Sequence, residues 1–173
     1  MTGIAVEELL SADVLAFADD LADVLVDAVD GGASVGFLAP LPHAHAVAWW
    51  KSRAAAVANG VLVVWVARVD GRIAGTVQVA STTIPNGRHR AEVLKLLVHR
   101  DFRGRRLGRE LLSTAEKGAA ALGASLLVLD TQTGSPAEAL YRSAGWAEAG
   151  VIPDYAADPG GVLRPTTLFY KKV

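Results

Sequence analysis

Residues 91–130 constrain this chain more than any other part of it. AEVLKLLV at Ala91–Val98 reads as a strand, and an arginine-rich turn follows it. An amphipathic helix is predicted over about Leu107–Leu122, stopped by Gly123, and SLLVLD at Ser125–Asp130 reads as a second strand. Two strands separated by a helix cannot close as a hairpin, so the crossover makes them a parallel pair. The continuous apolar run of Ser125–Asp130 predicts a strand covered on both faces. Such a unit places the chain in the α/β class.

The flanks extend that unit. Ile4–Val6 is a short apolar start, and Val14, Phe17, Ala18, Leu21, Leu25, Ala28 and Val29 recur at helical spacing. One helix is therefore predicted over Ser11–Val29, with Ser11 as its cap and Gly31 and Gly32 ending it. Ala33–Pro42 is irregular and apolar, and a second helix follows over His43–Asn59, closed by Gly60. Val61–Val69 reads as a buried strand, turned back at Asp70–Gly71 into an antiparallel partner at Arg72–Ala80. Ser81–Arg90 is a loop. Near the C-terminus, Ser135 can cap, Pro136 suits the first helical position and Glu138 completes a capping box, while Gly145 ends that helix. Trp146–Ile152 and Thr166–Lys172 are read as closing strands joined by a loop over Pro153–Pro165.

Composition narrows the chemistry. At 173 residues and 51% hydrophobic, the chain suits one domain over residues 1–173 with a continuous core. It has no cysteine, which excludes disulfides, thiolate metal sites and a cysteinyl intermediate, and no metal is expected. No run approaches the roughly 18 apolar residues that a membrane span needs. Glu7, Glu8, Asp13, Asp19 and Asp20 come early with no basic residue before them, unlike a secretory signal, so a cytoplasmic location is expected. The net charge of -1 and the lack of a basic stripe argue against nucleic acid as a partner.

Charge is concentrated in one place. Arg100, Arg103, Arg105, Arg106 and Arg109 stand where the strand hands over to the helix, with Gly104 and Gly108 among them. A helix N-terminus offers free N–H groups and partial positive charge, so an anion held there gains hydrogen bonds and dipole attraction. The glycines would let backbone approach a pyrophosphate closely. From charge alone, a solvated basic turn is an equal alternative.

HRDFRGRRLGRELL resembles motif A of the GNAT N-acetyltransferase superfamily, in which Arg or Gln, two residues, Gly, one residue and Gly or Ala wrap the coenzyme A pyrophosphate. Arg103 and Gly108 match the outer positions, and Arg106 replaces the central glycine. AEVLKLLV before the loop and AEALYRSAGW after it fall where the family has them. GFLAPL, LDTQTGSPAEALY and the PDYAADPGG to RPTTLFYKK ending are also similar to the tabtoxin-resistance type of small-molecule acetyltransferase. The resemblance implies a mixed sheet of six to seven strands flanked by about four helices.

It also implies an activity: direct transfer of the acetyl group of acetyl-CoA to a primary amine in a ternary complex. The acceptor would be a small molecule such as an amino-acid-like toxin or antibiotic, with a protein amino group or a non-catalytic coenzyme A-binding role as alternatives. On that reading Leu96, Leu97 and Val98 offer backbone to the pantetheine arm. Arg103, Gly104, Arg105, Arg106, Leu107, Gly108 and Arg109 hold the phosphates, with Ser135 also at the cofactor site. Tyr141 takes the family's general-acid position, although its apolar neighbours Ala137, Leu140 and Ala144 equally suit a packing role. Glu92 and Asp130 compete as general base, or are solvated strand-end carboxylates. His43 and His45 read as surface or capping residues, and Trp49 and Trp50 as packing residues in a segment able to roof the acceptor cleft. Asp154, Tyr155 and Asp158 lie where the family's closing loop borders the acceptor. Monomer and homodimer are equally compatible with the sequence.

Overall fold

The computed structural model describes residues 3–173. Its elements are β1 (Ile4–Leu9), α1 (Ser11–Ala16), α2 (Ala18–Asp30), α3 (His43–Ala58), β2 (Leu62–Val69), β3 (Arg72–Ser81), β4 (Arg90–Val98), α4 (Leu107–Ala121), β5 (Leu126–Gln132), α5 (Pro136–Ser143), β6 (Ala147–Ala157) and β7 (Leu163–Lys172). The strands form one mixed sheet in the order β1-β2-β3-β4-β5-β7-β6, and β4 and β5 are the parallel pair. Among the described residues no helix is long and apolar enough to cross a membrane.

Alternation along the strands sends side chains to two cores. Trp65, Val77, Leu127 and Phe169 meet Leu111 and Leu112 of α4 on one face, and Val64, Val66 and Ile73 meet Leu21, Leu25 and Trp50 of α2 and α3 on the other. Close approach of α4 depends on Gly118, where a Cβ would stand 2.4 Å from Cζ2 of Trp65.

Four expectations change. The helix over Ser11–Val29 divides at Phe17, which leaves helical geometry (φ -101°, ψ 17°) and lies under the Arg68 guanidinium, 4.4 Å from the ring centroid. Leu10, not Ser11, caps α1: its N–H donates to Asp13 at 2.9 Å, while the Ser11 hydroxyl donates to the Ala54 carbonyl of α3. The C-terminal loop shrinks to residues 158–162, because β6 and β7 pair as far as Ala157 and Leu163. Pro153 is tolerated because β6 is an edge strand whose register slips between Ile152 and Ala156. Pairing with β7 also carries β5 beyond Asp130 to Gln132.

Candidate active site

Two irregularities in β4 shape the site. The parallel pairing with β5 lasts for Arg90–Leu126, Ala91–Leu127 and Glu92–Val128 and then stops, so the two strands diverge. On the other edge, Leu94 pairs with Gln78 but Leu97 with Thr76, which leaves one extra residue in β4. This is a β-bulge, and Lys95 within it has φ 50°. A bulge shifts side-chain alternation by one. Ala91 and Val93 face α4 before it and Leu96 and Val98 after it, while Leu97 turns to the α2–α3 core. Thr76 fastens the bulge by donating its hydroxyl to the Lys95 carbonyl at 2.9 Å. Opposite it, a Cβ on Gly75 would lie 2.6 Å from the Leu97 carbonyl oxygen, so only glycine fits.

The gap between the strands leads to the arginine-rich bend. Asp27 of α2 fixes the start of that bend: its carboxylate accepts from the Arg100 backbone N–H at 2.9 Å and from the Arg100 Nε. Phe102 is buried beneath the bend, and Arg105 lies over its ring. The chain then passes through Gly104 (φ 78°) and Arg106 (φ 63°), the residue before α4. Among the described residues, the backbone N–H groups of Gly104, Arg105, Arg106, Leu107 and Gly108 donate to no protein acceptor; the first bonded ones are those of Arg109 and Glu110. Successive unpaired N–H groups at a helix N-terminus form an anion cradle. A diphosphate fits this donor set.

Several expected cofactor residues are thereby brought together, with different parts on offer. Arg103 donates from Nε to the Val98 carbonyl at 3.1 Å and Arg109 to the Ser143 hydroxyl at 2.7 Å, so both side chains brace the bend. Arg106 takes the left-handed conformation that glycine adopts without strain. The missing side chain of Gly108 serves packing, since a Cβ there would be 3.3 Å from Cδ2 of Leu140; its contribution to a ligand is its N–H. Leu96, Leu97 and Val98 lie on the stretch of β4 that has no partner in β5, facing the gap, with the Val98 carbonyl already engaged by Arg103. Ser135 caps α5, accepting from the Glu138 N–H at 3.2 Å, and Glu138 accepts from the Gly134 N–H and, at 3.1 Å, from the Thr167 hydroxyl. The Gly134 N–H foremost, then the Arg142 guanidinium and the Thr167 hydroxyl, hold the Glu138 carboxyl below its usual range.

Ionisable groups line both sides of the gap. Glu92 and Val128 are register partners, and Asp130 follows two residues later, so both acids project from the α3 face of the sheet. Burial raises the pKa of each, and Asp130 raises that of Glu92 further, while Lys95 opposes the rise in both. Lys95 itself is pushed down, first by burial and also by Arg53, against the pull of Asp130 and Glu92. Tyr141 belongs to the opposite core, packed near Trp146 and Phe169, and burial followed by the Asp130 charge pushes its phenol well up. A carboxylate of raised pKa is a better proton acceptor near neutral pH, and a phenol pushed up stays protonated and able to donate.

Lys95 and Asp27 were not singled out in the sequence. Each carried a signal, Lys95 as the one charge inside the apolar run VLKLLV and Asp27 as an acid on the buried face of α2. Asp158, by contrast, is committed to its own turn, accepting from the Val162 N–H at 3.0 Å and Arg164 Nε at 2.9 Å, with its pKa lowered by Arg164 first. Asp154 and Tyr155 are exposed and belong to strand β6, not to a loop. Nε2 of His43 lies 2.9 Å from Asp23 at the surface. Trp50 is fully buried, while Trp49 packs edge-on against Phe37 and lines a cavity of about 390 Å³ beside β4.

A divergent parallel pair, a bulged strand and an amide-lined bend ahead of a helix make one cleft able to take a diphosphate-bearing ligand. The family model of the acetyltransferase (GNAT) family matches residues 34–146, and the chain belongs to that family of acetyltransferases. The chain is 37% identical over 95 residues to the IAA acetyltransferase of Azospirillum brasilense, a match covering 54% of this chain and 60% of that protein. It therefore spans less than two thirds of that relative's length. Its fold is similar to that of ribosomal-protein-alanine N-acetyltransferase from Brucella melitensis (TM-score 0.78, 22% identity, 98% and 99% of the two chains). It is also similar to the yncA protein of Salmonella typhimurium, solved with its cofactor acetyl-CoA (TM-score 0.77, 20% identity, 98% and 94%).

Proposed function

We propose that the protein transfers the acetyl group of acetyl-CoA directly to the primary amine of a small molecule. The observation that carries this reading is the open edge of β4 running into five unpaired amides, with Glu92 and Asp130 on one side of the gap and Tyr141 on the other. Bound acetyl-CoA supplies an activated thioester. The amides of residues 104–108 would hold its diphosphate, and the edge of residues 96–98 that β5 leaves open would align its pantetheine arm.

Glu92, with Asp130 beside it, takes a proton from the acceptor ammonium and exposes the nitrogen lone pair. A C–N bond then forms as the C–S bond breaks, the nitrogen passes its second proton to the Asp130 carboxylate, and both acids return their protons to solvent and to the Tyr141 oxygen as the products leave. The Tyr141 hydroxyl donates a proton towards the leaving sulfur. Positioning two reactants in one site lowers such a barrier by up to about 7–11 kcal/mol. The cavity of about 390 Å³ beside β4, with Trp49 on its wall, is of a size that suits a small acceptor.

The test is thiol release from acetyl-CoA across a panel of amines, with calorimetry for cofactor binding. Turnover with at least one small amine is expected; binding without turnover of any amine leaves a coenzyme A-binding module instead.

A further inference from the structure

Lys95 is the one lysine of the chain that the site encloses. Of the others, Lys51, Lys117 and Lys172 are exposed, and Lys171 donates to the Glu116 carboxylate and the Ala144 carbonyl, each at 2.8 Å. Lys95 is partly buried in the wall of the cavity beside β4, with Trp49, Arg53 and Gln78. Its Nζ stands 5.6 Å from the Trp49 ring centroid and 3.9 Å from where a Cβ on Gly36 would lie. The ammonium is thus held between β4 and the segment that leads into α3.

The bulge fixes that position relative to the gap. Lys95 comes after Glu92–Val128, the last pair of the parallel ladder, and directly before Leu96–Val98, along which the pantetheine arm is proposed to run. The amides of residues 104–108 lie beyond the other end of that stretch, so an arm anchored there carries its thioester back towards the closed end of the gap, where Lys95 stands. Burial foremost, and Arg53 of α3 with it, lowers the Lys95 pKa, while Asp130 across the gap and Glu92 on its own strand oppose the fall. Among the described residues Lys95 nevertheless forms no ion pair with either acid. Burial and a neighbouring cation are what turn a lysine into a nucleophile, and the two carboxylates serve to collect its protons.

Gln78 supplies an independent sign. It is 2% exposed, its Nε2 has no partner, and its register partner is Leu94, the residue before Lys95. A buried carboxamide donor left unpaired is unfavourable unless an acceptor reaches it. An acetyl group on Nζ of Lys95 would bring a carbonyl oxygen into the cavity that both residues line.

We infer, on the basis of the acetyltransferase reading above, that Lys95 is a self-acetylation site, its Nζ attacking the thioester bound in the same molecule when no acceptor occupies the cavity. The Lys95 ammonium gives a proton to Glu92, and a C–N bond forms as the C–S bond breaks. The second proton passes to Asp130, and Tyr141 protonates the departing sulfur and is reprotonated by the acids. Lysine ammonium and acetyl-CoA thereby become acetyllysine and the coenzyme A thiol, with a proton released to solvent. The product is an amide, so it persists. It removes the cation that restrains the raised pKa of Glu92 and of Asp130 and fills part of the cavity, which closes the site to other amines.

The experiment incubates the unaltered chain with acetyl-CoA bearing an isotope-labelled acetyl group, with no amine added, and locates the label by peptide mass spectrometry. Lys95 is expected to be labelled at least about tenfold faster than Lys51, Lys117 and Lys172, the advantage of a reactant held beside its partner, at a rate independent of protein concentration. Acetyl phosphate, which lacks the coenzyme, should instead label the exposed lysines first. Lys95→Arg should lose the fast label and still bind acetyl-CoA by calorimetry. In protein that binds acetyl-CoA, labelling of Lys95 no faster than of the exposed lysines would overturn the inference and leave the acetyltransferase reading standing. A Lys95 rate proportional to protein concentration, or the same preference for Lys95 with acetyl phosphate, would overturn it too. Absence of acetyl-CoA binding is the separate result that removes the reading beneath it.

Discussion

The two ends of β4 differ in what lies along their second edge. Ala91 and Glu92 are paired on both sides, with β3 and with β5, whereas Val93, Leu94, Leu97 and Val98 are paired with β3 alone and Lys95 and Leu96, in the bulge, with neither. Interior backbone polar groups are ordinarily satisfied, and an unpaired stretch inside a sheet is tolerated where water or a ligand can complete it. The closed end belongs to the core, with Ala91 packed on the α4 side. The open end leads to the free amides and has Lys95 and the bulge beside it. Stability and binding are thus assigned to different lengths of one strand.

Substitutions that act on one side only will break or sharpen that division. We expect the largest effect on the packed side: Gly118→Val drives a side chain into the Trp65 ring and should cost about 3 kcal/mol. In thermal melts this is a fall of roughly 6–12 °C, with cofactor affinity retained by the folded fraction. On the open side, Tyr141→Phe should lower kcat roughly 100-fold with little change in KM for acetyl-CoA, since only the proton donor is lost. A melting temperature lowered as much as by Gly118→Val would instead make Tyr141 a packing residue.

Glu92→Gln should lower activity about tenfold or more and remove the acidic limb of the pH profile. Because the Glu92 pKa is raised, wild-type activity falls as pH drops through that raised value. The stability effect has the opposite sense. A carboxyl whose folded pKa lies above its unfolded value contributes stability below the unfolded pKa and loses it as pH rises through the folded one. The variant should therefore melt slightly higher than wild type at neutral pH, and a lower melting point would contradict the burial argument. The smallest effect is expected at Arg106. Arg106→Gly relieves a left-handed residue worth about 1 kcal/mol, raising the melting temperature by roughly 2–4 °C. A loss of acetyl-CoA affinity beyond about tenfold would show that the guanidinium, and not only the amide, holds phosphate.

The parallel unit was legible in the sequence because its cues are local: AEVLKLLV, a helical period and SLLVLD each declare a structure without reference to partners. Strand ends were less so. β6 and β7 reach Ala157 and Leu163 only because they pair with each other, and a pairing partner is invisible in a window that contains Pro153 and Pro165. The bulge at Lys95 was hidden for the same reason, being a relation between β3 and β4. The residues expected around the bend do cluster, and the free N–H groups expected ahead of the helix are there, but the arginine side chains are spent on the protein itself. Arg100, Arg103 and Arg109 turn to Asp27, Val98 and Ser143, contacts that no spacing rule announces.

Residue-resolved amide exchange, with and without acetyl-CoA, tests most directly whether the gap and bend receive the cofactor. We predict new protection at the N–H groups of residues 104–108 and on the open edge of β4, while the already paired Ala91 and Glu92 change little. Unchanged exchange across the bend at saturating acetyl-CoA, or protection confined to another surface, would contradict it.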